Sequence, residues 1–119
     1  MFIGRLPAKT SSQADAMVEK ILNYQQNPKE GDWRKNVIFI ADNPEPSLAF
    51  EAECETLIEN YLPPSFNATR VYLSQCLPNQ EGCNRKIIEA IESGGVILNF
   101  IGHGALLVWS KKEVFKLEQ

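Results

Sequence analysis

Apolar positions along this chain follow two rhythms that alternate. After Thr10, the residues Ala14, Met17, Val18, Ile21 and Leu22 recur at the three-and-four spacing of one helical stripe. Thr10 and Gln13 form a T-x-x-Q capping box ahead of them, which predicts a helix from about Ser11 to Gln26 with the stripe as core. Asn36 to Ala41, NVIFIA, is instead a β-branched and aromatic run that reads as a buried strand. Phe50, Cys54, Leu57, Ile58 and Tyr61 return to helical spacing, and Pro63-Pro64 ends that helix. Arg70 to Ser74, RVYLS, is a further short strand, and Ile87, Ile88 and Ile91 mark one face of a helix over Asn84 to Ser93. Gly94-Gly95 closes it. Val96 to Phe100, VILNF, is too short for a buried helix and is bounded by glycines on both sides, so it reads as an inner strand buried on both faces.

The remaining stretches are shorter signals. MFIGRLPAK at the start looks like the tail of a strand turning into a loop, as if the chain began inside a domain. Asn27 to Lys35 is loop by its Pro, Gly and charges, with Trp33 expected as a lid over the sheet. Ser110 and Glu113 form a second capping box, which predicts a short helix near the end. From Asn36 onward the order is strand, helix, strand, helix, strand, with crossovers long enough for parallel pairing. The expected fold is α/β, a mostly parallel sheet flanked by helices. All strand carboxyl ends would then share one rim, where Asp42-Asn43, the Ser74 to Cys76 segment and His103 fall.

Composition narrows the function classes. The chain has 119 residues, 44% hydrophobic and 23% charged, with a net charge of -3, as an ordinary globular domain or part of one would have. Acidic residues outnumber basic ones, and the basic pair Lys111-Lys112 is followed at once by Glu113, so no nucleic-acid partner is expected. No apolar run is long enough to span a bilayer, and no signal peptide is visible. Cys76 and Cys83 could close a short loop in an oxidising compartment, whereas Cys54 falls on an apolar helix face. Three cysteines and one histidine in no metal-binding spacing argue against a zinc site. Asn67-Ala68-Thr69 fits a glycosylation sequon, which has meaning only in a eukaryotic secreted protein.

The candidate chemistry lies at the rim. His103 is the sole histidine, placed just past a strand end between two glycines that remove side-chain bulk from its surroundings. An imidazole there can serve as general base or acid near neutral pH, or it can be a surface residue on a tight turn. Cys76 is the only thiol near the same rim, although loop cysteines of this kind are more often inert or disulfide-bonded. Ser74 and Ser110 lack a nucleophile-elbow context. Asp42 could bind a metal ion, orient His103, accept a phosphoryl group as receiver domains do, or be turn chemistry in Asp-Asn-Pro-Glu-Pro. The receiver reading lacks the acidic cluster and lysine it needs. No G-x-G-x-x-G follows a strand, which removes a dinucleotide site.

Four pieces in order resemble the gingipain-type cysteine peptidases, family C25 of the caspase-like clan. They are FIGRLPA at 2–8, ILNY at 21–24, GDWRKNVIFIAD at 31–42 and SGGVILNFIGHG at 93–104, followed by Trp109. The resemblance implies a caspase-like α/β/α sandwich and makes His103 the base partner of a cysteine nucleophile. It places Gly104 at the oxyanion hole, with Asp42, Asn43 and Trp109 as rim or supporting residues. In the family the nucleophile ends the strand after the histidine strand, so residues 1–119 would be the amino-terminal part of a catalytic domain, truncated before that strand. All three cysteines here precede the histidine, and the isolated chain is expected to be inactive. The alternative is a non-catalytic binding or assembly module of the same ancestry.

The family's acidic residues, which support the histidine and read a basic P1 side chain, cannot be aligned with Glu45, Glu51 or Glu53, so arginine or lysine preference does not carry over. Leu106 adds apolar bulk where the family often has a small polar residue. The partners implied are a peptide or protein substrate and the rest of the catalytic domain, without nucleic acid or membrane span. An open sheet edge would favour self-association. No cofactor or metal is called for, and a structural calcium ion has no support in the sequence. The resemblance alone suggests secretion or a bacterial cell surface.

Overall fold

Strand β1, Asn36–Ala41, is buried on both faces after its first residue, and two further strands pair with it in parallel. The computed structural model describes residues 3–105 and 107–116. Helix α2, Phe50–Tyr61, leads to β2, Asn67–Tyr72, and helix α3, Gln80–Ser93, leads to β3, Ile97–Ile101. The sheet order is β2-β1-β3, with Ala41 level with Tyr72 on one side and Ile101 on the other. Alternation along β1 sorts its side chains between two cores. Val37, Phe39 and Ala41 pack with Phe50 and Cys54 of α2, while Ile38 and Ile40 pack with Ile87 and Ala90 of α3. Helices therefore cover both faces of a parallel sheet, as the alternation of rhythms predicts. Each fully buried aliphatic side chain of this kind contributes about 1.5–3 kcal/mol.

Several boundaries move, for local reasons. The second strand begins at Asn67, because Thr69 donates its hydroxyl to the Asn36 side chain at 2.9 Å and extends the pairing backward. It ends at Tyr72, where a 3-10 turn over Leu73–Gln75 takes over. Helix α3 starts at Gln80 rather than Asn84, since Asn79 caps it by accepting the Gly82 N–H at 2.9 Å. The third strand starts at Ile97 and, among the described residues, stands at the edge of the sheet rather than inside it. Among the described residues β3 pairs only with β1, and Ile97 and Leu98 are 57% and 37% exposed. Trp33, in a 3-10 turn over Asp32–Lys35, lies against Gly94 between α3 and β3. A side chain on Gly94 would stand 2.7 Å from Trp33 Cβ, and Gly94 holds φ +89.

The chain after β3 departs most from expectation. Instead of a helix from Ser110, strands β4, Gly104–Ala105, β5, Val108–Trp109, and β6, Phe115–Lys116, form a small antiparallel sheet. Ser110 and Glu113 take positive φ values of 65° and 52°, and the Glu113 N–H closes a turn on the Ser110 carbonyl at 3.0 Å. A capping box would need the Ser110 hydroxyl to accept from the helix start. It accepts instead from Lys112 N–H and donates to Asp42. Cys76 and Cys83 are joined as a disulfide, tying the turn after β2 to α3.

The chain divides by its internal contacts into Met1–Gly31 and Asp32–Gln119. In the first unit, residues 3–8 are irregular rather than a strand tail. Helix α1, Ser11–Gln26, has the predicted bounds and cap, with Gln13 N–H donating to Thr10 at 3.2 Å. None of its residues is buried, so the stripe is not core: among the described residues its own unit has no second element to close over it.

Candidate functional site

The Gly102-His103-Gly104 turn follows β3 directly, at the same end of the sheet as Asp42 after β1. Asp42 extends the ladder by one bond, donating its N–H to the Ile101 carbonyl at 2.9 Å. Its side chain is 3% exposed and fully engaged. Oδ2 accepts the His103 N–H at 3.1 Å, and Oδ1 accepts the Ser110 hydroxyl at 2.6 Å and the Asn43 N–H at 2.7 Å. Gly102 is bare for a steric reason, since a Cβ there would stand 2.4 Å from Asp42 Cβ. Gly104 differs, because its nearest neighbour would be the Val108 carbonyl oxygen at 3.8 Å.

The His103 side chain is 30% exposed, so it lies neither in a hydrophobic interior nor free in solvent. Nε2 lies 3.1 Å from Glu45 Oε1, and the ring stands nearly perpendicular to that of Phe50, at a centroid distance of 5.4 Å and 83°. Glu45 reaches this position because the Pro-flanked segment folds back on itself, with Glu45 and Leu48 exchanging backbone hydrogen bonds of 3.0 Å. The same Oε1 accepts from Lys111 Nζ at 2.8 Å. Glu45 is held below the usual carboxylate range, first by the Lys111 hydrogen bond and then by the charges of Lys111 and His103, against partial burial. An imidazole that donates its Nε2 proton to this carboxylate keeps its Nδ1 lone pair to act as a base. Beside it, His103, Gly104, Ala105, Val108, Ser110 and Lys111 line a hollow of about 280 Å³.

Of the residues expected here, the structure brings Asp42, Asn43, His103 and Gly104 together. Asn43 contributes its backbone N–H, while Trp109 stacks between Phe100 and Phe115, at 4.6 and 5.1 Å, and does not line the hollow. Leu106 lies outside the described residues. Three contributors were not legible as such: Glu45 had no alignment, Ser110 reads as a helix cap, and Lys111 as half of a basic pair offset by Glu113. The signal for Glu45 was available, in a carboxylate between two prolines four residues past a strand end.

The cysteines do not supply a nucleophile to His103. Cys76 and Cys83 are bonded to each other. Cys54 is fully buried under α2, and burial together with Glu55, Glu53 and Glu51 pushes its thiol up to about 11. Among the described residues no group of three or more His, Cys, Asp or Glu side chains could hold a metal ion, and no helix is long and apolar enough to cross a membrane.

No curated protein and no solved structure matches this chain. A family model described as peptidase family C25 does match it, over residues 1–119. That span takes in the parallel sheet, the Gly-His-Gly turn and every residue around His103, and by it the chain belongs to peptidase family C25, a lineage of cysteine peptidases.

Proposed function

We propose that these residues carry the histidine side of a Cys-His peptidase site on a caspase-like sheet. The observation that supports it most is the pairing of His103 Nε2 with Glu45 at 3.1 Å, with the ring at the edge of an open hollow. In this scheme Nδ1 takes the proton of a cysteine thiol, and the thiolate attacks the carbonyl carbon of the scissile peptide. The Gly104 N–H is the proposed donor to the oxyanion. The tetrahedral intermediate expels the amine, which takes the proton from His103, and water activated by the same nitrogen then cleaves the thioester. Glu45 orients the ring and supports the imidazolium as it forms.

Because Cys54, Cys76 and Cys83 are each committed elsewhere, the nucleophile in this scheme comes from residues outside these 119, on a strand beside β3. Substrates are peptides or proteins. The Cys76–Cys83 disulfide favours an oxidising location, either secreted or at a bacterial cell surface. The lack of an available thiol also favours a second reading, a binding or assembly module that does no chemistry. One assay separates them. The parent polypeptide is treated with a peptidyl acyloxymethyl ketone, which alkylates an activated cysteine. Labelling of one cysteine, together with peptide turnover that falls at least about 1,000-fold in His103→Ala, supports the peptidase. Absence of both in the wild-type parent selects the binding module.

A further inference from the structure

We propose that Asp42 is a positioning residue for His103, and that Ser110 is the pin that holds Asp42 in place. The proposal rests on the reading of His103 as the base and adds two residues that the Cys-His scheme does not itself use. A carboxylate that is 3% exposed needs partners for both oxygens, and this one divides them between two segments. Oδ2 takes the His103 N–H, and Oδ1 takes the Ser110 hydroxyl and the Asn43 N–H. Ser110 in turn donates its own N–H to the His103 carbonyl at 2.7 Å. The three residues close a ring in which both polar backbone groups of His103 are engaged, so the direction of its Cα–Cβ bond is set before the side chain makes any contact. Glu45 and Phe50 then meet a ring that already points toward them.

Two costs in the local structure support this reading. Gly102 has no room for a side chain because the Asp42 side chain occupies it, with Cβ atoms that would be 2.4 Å apart. The carboxylate reaches the His103 N–H only across a bare residue. Ser110 holds φ 65, a conformation unfavourable to a residue with a Cβ, and it is 2% exposed. A turn that needed only the backbone shape would be better served by glycine. Serine is explained by its hydroxyl, which meets Asp42 Oδ1 at 2.6 Å.

His103 is the sole histidine, so its signals are unambiguous in spectra of the 119-residue chain. In Asp42→Asn, an amide in place of the carboxylate loses one acceptor, and either His103 N–H or Ser110 Oγ goes without. Expected is exchange of the His103 amide at least about 10-fold faster, with a change in the ring 15N signals, while exchange of the β1 amides stays close to wild type. Ser110→Gly removes the hydroxyl and relieves the backbone; it should speed the same amide several-fold. It also stands in if Asp42→Asn does not fold. Unchanged His103 amide and ring signals in the folded variants overturn the proposal and leave the base reading intact. Activity retained in the His103→Ala parent would overturn the base reading and leave the positioning geometry standing.

Discussion

At residue scale, the two glycines that flank His103 are bare for different reasons, and substitution separates them. Gly102→Ala drives a methyl group into Asp42 and to 2.9 Å from Phe100 Cζ, and should cost about 1–3 kcal/mol. Gly104→Ala meets nothing closer than 3.8 Å and should stay within about 0.5 kcal/mol. Urea unfolding of both variants measures the contrast, and equal losses would contradict the packing described. Cys54 gives a second test. Its thiol is held up to about 11 against an ordinary 9.0, so the folded chain keeps the proton longer than the unfolded one. Its contribution is therefore complete below pH 9 and is lost as pH rises from 9 to about 11, to the extent of about 2 kcal/mol. Cys54→Ala should flatten that part of the alkaline loss in melts, leaving the part due to Tyr72, which burial and Glu55 also push up. A native thiol titration should find Cys54 unreactive until the chain unfolds.

At the scale of elements, α2 is tied to β2 by one carboxylate. Glu55 accepts from Arg70 at 2.8 and 3.0 Å and from the Tyr72 hydroxyl, and these partners lower it from the usual range, Arg70 first. A lowered carboxyl contributes above its ordinary value of 4.5 and loses that contribution as pH falls through the lowered one. The pair is partly exposed, so Glu55→Gln should cost under about 1 kcal/mol at pH 7 and reduce the acid sensitivity of the melt. The disulfide joins α3 to the turn before it across a separation of 7 residues. Replacing Cys76 and Cys83 together by serine should cost about 2–3 kcal/mol in urea unfolding.

These elements were the most legible part of the chain, for α1, β1 and α2 are written in their own periodicity and caps. The starts of β2 and β3 were not, because they are fixed by pairing with β1, distant in sequence, and the start of α3 was placed late although its Asn79 cap is local. The segment after Gly104 was misread for a related reason. Ser110-x-x-Glu113 reads as a capping box, but the Ser110 hydroxyl is drawn to Asp42, 68 residues earlier, and Ser110 and Glu113 take positive φ values that no helix start allows. His103 and Asp42 could be placed on one rim from strand order alone, and Glu45 carried a local signal in its flanking prolines, whereas Lys111 arrives through a turn whose path no local pattern encodes.

At the scale of the whole molecule, VILNF reads the same whether or not a neighbour covers it, and among the described residues β3 is paired on one side. Its exposed Ile97 and Leu98, and the edge left unpaired among the described residues, favour association between copies. Sedimentation should show the wild-type chain moving to larger species as concentration rises, with Ile97→Lys shifting it toward monomer. A monomer at every concentration would contradict this.

The account depends most on His103 being held through Nε2 by Glu45 so that Nδ1 is the basic nitrogen. Long-range 1H–15N correlation of the single histidine, at a pH where the ring is neutral, reads this directly. The account predicts a proton on Nε2, protected from exchange with water, and its disappearance from the spectrum in Glu45→Ala. A proton on Nδ1, or ring signals that Glu45→Ala leaves unmoved, would contradict it.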